Sequence, residues 1–200
     1  MQPLTGYERV LNTLHHKPID QVGCHDVMWD ETLARWKKEG QIGPDDDCSV
    51  LLGMDLTCGG TLNSVADMDF TSQVIEETED TILRLDGNGA KLRQHKKHNS
   101  CPEHVDFTVK GRAAWEELIR PRLGQLDRRR IPFDEYRKGR AAAAKRQQFY
   151  GWWGLAPFEQ MHAVCGHENL LVGFALDPDW ARDMVMTYAR FTIMHLDVLF

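Results

Sequence analysis

The stretch from Thr81 to Arg93 constrains the fold more tightly than any other part of the chain. Thr81 to Leu85 alternates, Asp86-Gly87-Asn88-Gly89 supplies residues that tolerate positive φ, and Lys91-Leu92-Arg93 alternates again. Two such runs joined by such residues predict a β-hairpin, because side chains two apart share a face and the turn must reverse the chain. Val105, Phe107 and Val109 keep the same period and predict a further strand.

Helical periodicity surrounds this β region. Val10, Leu11 and Leu14 predict a helix from Tyr7 to His16, ended by Pro18 and Asp20. Val22 to Trp29 reads as a short extended segment. Asp30-Glu31 suits the start of a second helix, with Leu33 and Trp36 as its buried stripe. Val50 to Met54 is an apolar helix or strand, and Cys58 to Asp69 reads as a loop. Ala113 to Leu118 predicts a helix with Trp115 and Leu118 inward, followed by a basic, exposed run from Gly124 to Pro132. Asp134 suits the cap of a helix to about Arg146, Phe149 to Leu155 a buried strand, and Phe158 to Leu176 helix and loop.

The clearest helix opens at Asp177, with Pro178 in the first helical position and Asp179 in the first turn. Trp180, Met184, Tyr188, Phe191, His195 and Val198 follow at three- and four-residue steps. The segment closes on Asp197-Val198-Leu199-Phe200 without Gly, Pro or a terminal cation. That apolar ending predicts a chain cut short of its full fold.

Composition narrows the function classes. The 200 residues carry 24 Lys and Arg against 30 acids, a net charge of −6 that gives no support for a nucleic-acid or anionic-membrane partner. No apolar run approaches the roughly 18–20 residues of a membrane span, and the N-terminus lacks the pattern of a secretory signal. The five cysteines are spread without a CxxC pair, which predicts reduced thiols and a cytoplasmic protein.

Several segments, in this order, resemble the uroporphyrinogen decarboxylase family in its broad sense. Glu8-Arg9-Val10-Leu11 with Leu14, Lys17-Pro18 and Asp20 is similar to its N-terminal signature, and Leu52-Gly53-Met54-Asp55 to its FGxD-like segment. Glu77 through Gly89 with Trp115-Glu116-Glu117 resembles the β excursion and helix of many members. Gly154 to Glu159, Gly166 to Leu170 and Asp177-Pro178 match a second part. The resemblance implies an α/β fold: the N-terminal part of a (β/α)8 TIM-type barrel, with an inserted hairpin excursion at about residues 70–110. Such a barrel takes about 250 residues, so the C-terminal half is expected to be absent from residues 1–200.

The family holds true decarboxylases, which need no cofactor, and methyltransferases that use zinc and a corrinoid partner. Binding a macrocycle with eight carboxylates calls for several arginines. Decarboxylases of the family follow the first barrel strand with an arginine pair, whereas Val22 to Asp30 here has no arginine until Arg35. The resemblance therefore points to corrinoid-linked methyl transfer or related chemistry in the complete barrel, with uroporphyrinogen decarboxylation as the alternative. Zinc ligands would lie beyond Phe200, so no cofactor or metal is expected within this chain. A third reading is a non-catalytic fragment, since a half barrel leaves open sheet edges that favour self-association into a homo-oligomer.

By the rule that barrel enzymes act at strand ends, His25, Asp26 and Glu159 are the catalytic candidates. Trp29 and Trp152 are the substrate-binding candidates. The adjacent Trp152 and Trp153 must point to opposite faces of a strand, so one faces the barrel core. His162, Cys165 and His167 suggest a metal cluster, but their spacing is not that of a known zinc motif; His95, His98, Cys101 and His104 suggest another, in a stretch with Lys96 and Lys97 that reads as a solvated loop. Arg128-Arg129-Arg130 fits an anion site or a solvated surface.

Overall fold

A computed structural model describes residues 3–98, 101–155 and 157–200. The elements in order are α1 (Gly6–Leu14), α2 (Asp30–Lys38), α3 (Cys48–Leu51), β1 (Leu56–Gly59), β2 (Gln73–Glu77), β3 (Thr81–Leu85), β4 (Ala90–His95) and β5 (Glu103–Phe107). There follow α4 (Arg112–Ala114), a π-helical turn (Trp115–Ile119), α5 (Arg120–Leu123), α6 (Phe133–Lys145), β6 (Phe149–Trp152), α7 (Pro157–Leu176) and α8 (Pro178–Leu199). The chain is mixed α/β with one parallel and one antiparallel sheet, and the described residues form no closed barrel. None of its described helices is long and apolar enough to cross a membrane. Two compact units divide it, Met1–Thr61 with Pro132–Gly154, and Leu62–Ile131 with Leu155–Phe200.

In the first unit β1 and β6 pair in parallel, from Leu56 beside Phe149 to Gly59 beside Trp152. α6 precedes β6 and packs on the pair through Tyr136, whose ring meets Tyr150 edge-on at 5.2 Å. α1 closes the amino ends of both strands. Its Thr5 and Glu8 form a reciprocal capping box, Tyr7 donates its N–H to the Gln147 carbonyl at 2.7 Å, and the Tyr7 ring stacks on Phe149. Arg9, almost fully buried, pairs with Asp55 just before β1 and with Asp20 at 2.8 Å.

The extended segment expected from Val22 to Trp29, matched to the first barrel strand, joins no ladder. The Cys24 carbonyl accepts from Asp55 N–H and the Cys24 N–H donates to Asp55 Oδ2 at 2.8 Å, but Val22 and Val27 stay exposed. The contacts at Asp55 position the segment without completing a strand, and of its apolar side chains Met28 is half-buried while Val22 and Val27 are not covered. The apolar run after Asp47 resolves as the single turn α3, capped by the Asp47 carboxylate, with Val50, Leu51 and Leu52 facing outward.

The second unit holds the antiparallel sheet β2-β3-β4-β5. The predicted hairpin is β3–β4, with Leu85 paired to Lys91. In its turn only Gly89 takes a positive φ, 74°. Asp86 Oδ1 accepts from the Asn88 and Ala90 N–H groups, which fixes the turn, while the buried Asn88 carbonyl oxygen is used elsewhere, accepting from Ala66 N–H at 2.8 Å.

The core of this unit gathers Trp115, Ile119, Leu123, Met161, Val164, Cys165, Leu170 and the inner face of α8, namely Trp180, Met184, Tyr188 and Phe191. α8 buries the expected stripe from Trp180 to His195, though Val198 is only half-buried, and Asp177 caps it while pairing with Arg112 through both carboxylate oxygens. Two expectations change. The π turn carries the helix register past Leu118, so Ile119 rather than Leu118 is the buried partner of Trp115. The basic run is not wholly exposed: Arg130 is buried, donating to the carbonyls of Asn63, Val65 and Ala66, with its guanidinium 5.2 Å over the Phe191 ring. α7 breaks at Gly166, where φ is 74° and ψ 163°.

Candidate functional site

A cleft of about 480 Å³ opens along β1 in the first unit. That is within the roughly 300–1,000 Å³ of small-molecule sites. Its walls come from 25–28, from α2 and the loop after it, and from Met54, Thr57 and Cys58. His25 and Asp26 both line it. His25 Nδ1 lies 2.8 Å from the Leu56 carbonyl, which can only accept, so Nδ1 carries the proton and Nε2 is left as the acceptor. Asp26 Oδ1 accepts the Val27 N–H at 2.7 Å.

The remaining chemistry of the cleft is acidic and soft. Asp45, Asp46 and Asp47 join Asp26, against the single cation Lys37, whose Nζ donates to the Pro44 carbonyl at 2.6 Å. The Ser49 hydroxyl and N–H hold the Asp47 carboxyl below its usual range despite partial burial, and Asp47 also pairs with Arg146. Cys48 and Cys58 contribute two thiols, and burial pushes the Cys58 thiol up. No arginine lines the cleft. Cys48 and Cys58 were not singled out in the sequence; the signal for Cys58 is its place on β1, two residues after Leu56 and on the same face.

The other candidates lie elsewhere. Trp29 is exposed at the start of α2 and does not line the cleft. Trp152 ends β6, with its indole Nε1 buried and without a hydrogen-bond partner. Glu159 belongs to the second unit, in the first turn of α7, where its carboxylate accepts from His162 Nε2 at 2.6 Å.

Around that pair the second unit collects three imidazoles. His162 and His167, on either side of the Gly166 break, stack at 4.2 Å between ring centroids, and His104 from β5 stands 5.7 Å from His162. Partial burial, then the neighbouring His162 and His167, push His104 below its ordinary value. Cys165 turns away into the core, its thiol donating to the Met161 carbonyl at 3.3 Å. The rings of His95 and His98 lie 4.6 Å apart and Cys101 is exposed. Among the described residues no three His, Cys, Asp or Glu side chains are placed to hold a metal ion. Arg129 of the basic run is engaged by Asp69 and Asp127.

Comparison of the chain with protein-family models, with curated proteins and with solved structures finds no match in any of the three.

Proposed function

We propose that residues 1–200 form the opening part of a uroporphyrinogen-decarboxylase-type barrel whose complete form acts in corrinoid-linked methyl transfer or a closely related reaction. The resemblance of ordered segments carries the family reading. Its support in the fold is the parallel pair β1–β6, with α1 across the amino ends and the antiparallel excursion between the two strands in sequence. A right-handed crossover to a parallel neighbour is the repeating step of such a barrel.

The lining of the cleft carries the choice of chemistry. Four aspartates and one lysine, already occupied by a carbonyl, cannot hold a polycarboxylate macrocycle, which needs cationic donors around it. A thiol or another uncharged substrate suits this lining. His25 then acts as proton acceptor through Nε2, held in that tautomer by Leu56, with Asp26 beside it. No ligand set for zinc exists among the described residues, so in this reading zinc would be held by residues outside them. A corrinoid protein supplies the methyl group as partner.

The test uses the longest gene product containing these residues, loaded with zinc and given methylcobalamin and a thiol, with uroporphyrinogen in a parallel reaction. Thioether formation, reduced about a hundredfold or more in His25→Ala, is the expected result. Conversion of uroporphyrinogen to coproporphyrinogen, or no methyl transfer by the zinc-loaded protein, overturns the proposal.

A further inference from the structure

A second cavity, of about 520 Å³, lies wholly within the second unit and takes no part in the reading above. One wall is the outer turn of α8, where Thr187, Arg190, Phe191 and Met194 fall three and four residues apart and so share a face. The opposite wall is the π turn and α5, through Glu116, Arg120, Pro121 and Leu123. Its apolar floor is firm, since Phe191 and Leu123 are both core residues with at most 1% exposure.

The charges at the rim are arranged unequally. Asp183 Oδ2 accepts from the Trp115 indole at 2.8 Å and lies 3.3 Å from Arg120 Nε. That contact engages the Nε edge of the Arg120 guanidinium, which is half exposed at the rim. Arg190 is exposed and makes no ion pair among the described residues. Glu116, the one acid in the lining, stands 4.0 Å from Arg112, which draws it toward a cation outside the cavity. Arg120, shared with Asp183, and Arg190, without an ion pair among the described residues, thus stand with Glu116 over an apolar floor.

The π turn is the second, independent mark. An i→i+5 turn gives up regular helical hydrogen bonding and is found frequently at functional sites. Here it sets Glu116 and Arg120 at the mouth of the cavity while keeping Trp115 and Ile119 in the core.

We infer that this cavity binds a small amphipathic monocarboxylate, its carboxylate on Arg190 and Arg120 and its apolar body against Phe191, Leu123 and Met194. A planar guanidinium pairs with a carboxylate through two parallel hydrogen bonds, and the firm floor accepts an apolar chain without repacking. Polyanions are disfavoured by Glu116, and neutral apolar molecules leave both arginines unmatched.

The probe is octanoate, titrated into the intact chain and followed by NMR, with octanol as the neutral ligand of equal length. Octanoate is expected to shift the Phe191 and Met194 signals with a millimolar dissociation constant, and octanol to bind at least tenfold more weakly. Arg190→Gln, at an exposed position that the fold does not need, is expected to weaken octanoate about tenfold, the worth of one charge-assisted hydrogen-bonded contact. Arg190→Lys keeps the charge but loses the fork, and is expected to fall between the two. Met194→Glu, which places a carboxylate against the chain, is expected to abolish binding. Equal binding of octanoate and octanol, unchanged affinity in Arg190→Gln, or shifts confined to other parts of the unit each overturn the inference.

Discussion

Replacing Gly166 by alanine tests the break in α7, because the break and an unbroken helix predict opposite signs. At φ 74° and ψ 163° the backbone occupies a region essentially reserved for glycine. A non-glycine residue there costs about 1–3 kcal/mol. A Cβ built on Gly166 would also sit 2.4 Å from Cε2 of the Phe107 ring, itself a core residue. Overpacking of that kind costs about a further 1–3 kcal/mol, since the ring or the helix must move. The two contributions together give about 2–6 kcal/mol of destabilisation. Were α7 a continuous helix, the same substitution would stabilise it by about 0.5–1 kcal/mol, because alanine loses less backbone freedom than glycine. Urea denaturation followed by near-ultraviolet circular dichroism reads the difference through the buried Trp115 and Trp180 of the same unit. An unchanged or raised midpoint in Gly166→Ala would refute the broken geometry and, with it, the placement of His162 against His167.

Three further outcomes are expected. Asp55→Ala removes the buried one of two carboxylates on Arg9 and the acceptor of the Cys24 N–H, and should cost about 1–3 kcal/mol, measured by denaturation of the first unit. Asp20→Ala, at the more exposed end of the same network, should cost clearly less, and equal losses would show that burial is not the cause. For His104 the folded protein binds its proton less readily than the unfolded chain, whose value is near 6.5. Its contribution is therefore full above that value, drains as pH falls through it, and levels off below the lower folded value. Melting temperature should drop between pH 7.5 and 5.5, and His104→Gln should lessen the drop; an identical drop in that variant contradicts the assignment. Burial pushes the Cys165 thiol up to about 12, so iodoacetamide at pH 8 should label the exposed Cys24 and Cys101 and spare Cys165 in the native protein. Labelling of Cys165 at the same rate, read by peptide mass spectrometry, would contradict its burial.

What was legible in the sequence follows the range of each interaction. The β3–β4 hairpin and α8 could be read because their periods and turn or cap residues lie within a few positions of one another. Residues 22–28 carry strand-like residues, but a strand exists only with a partner, and that depends on residues far along the chain. Arg130 resembles its exposed neighbour Arg129 in every local respect; three carbonyls from 63–66 and the Phe191 ring bring it inside. Asn88 looked like a turn residue and serves as a tether for Ala66. His25 and Asp26 were visible as neighbours, whereas the acidic, thiol-bearing character of their cleft is assembled from 45–48 and 58 across the first unit. His104 joins His162 and His167 only through the placement of β5 on α7, which no spacing rule anticipates.

The two units interleave along the chain: each is built from a segment, an interruption, and a second segment. Leu56 finds Phe149 only after all of 62–131 has been made, and the core around Trp115 waits for Trp180 and Tyr188. At about 5–20 residues per second of synthesis, 155–200 takes a few seconds to appear. During that interval the nascent antiparallel sheet has its hairpin but not its cover. The hairpin, closed by a short turn, can form at once, while β1 meets β6 only after a large loop closes. The apolar side of the hairpin therefore stays uncovered until α7, which packs on β4 and β5, has been made.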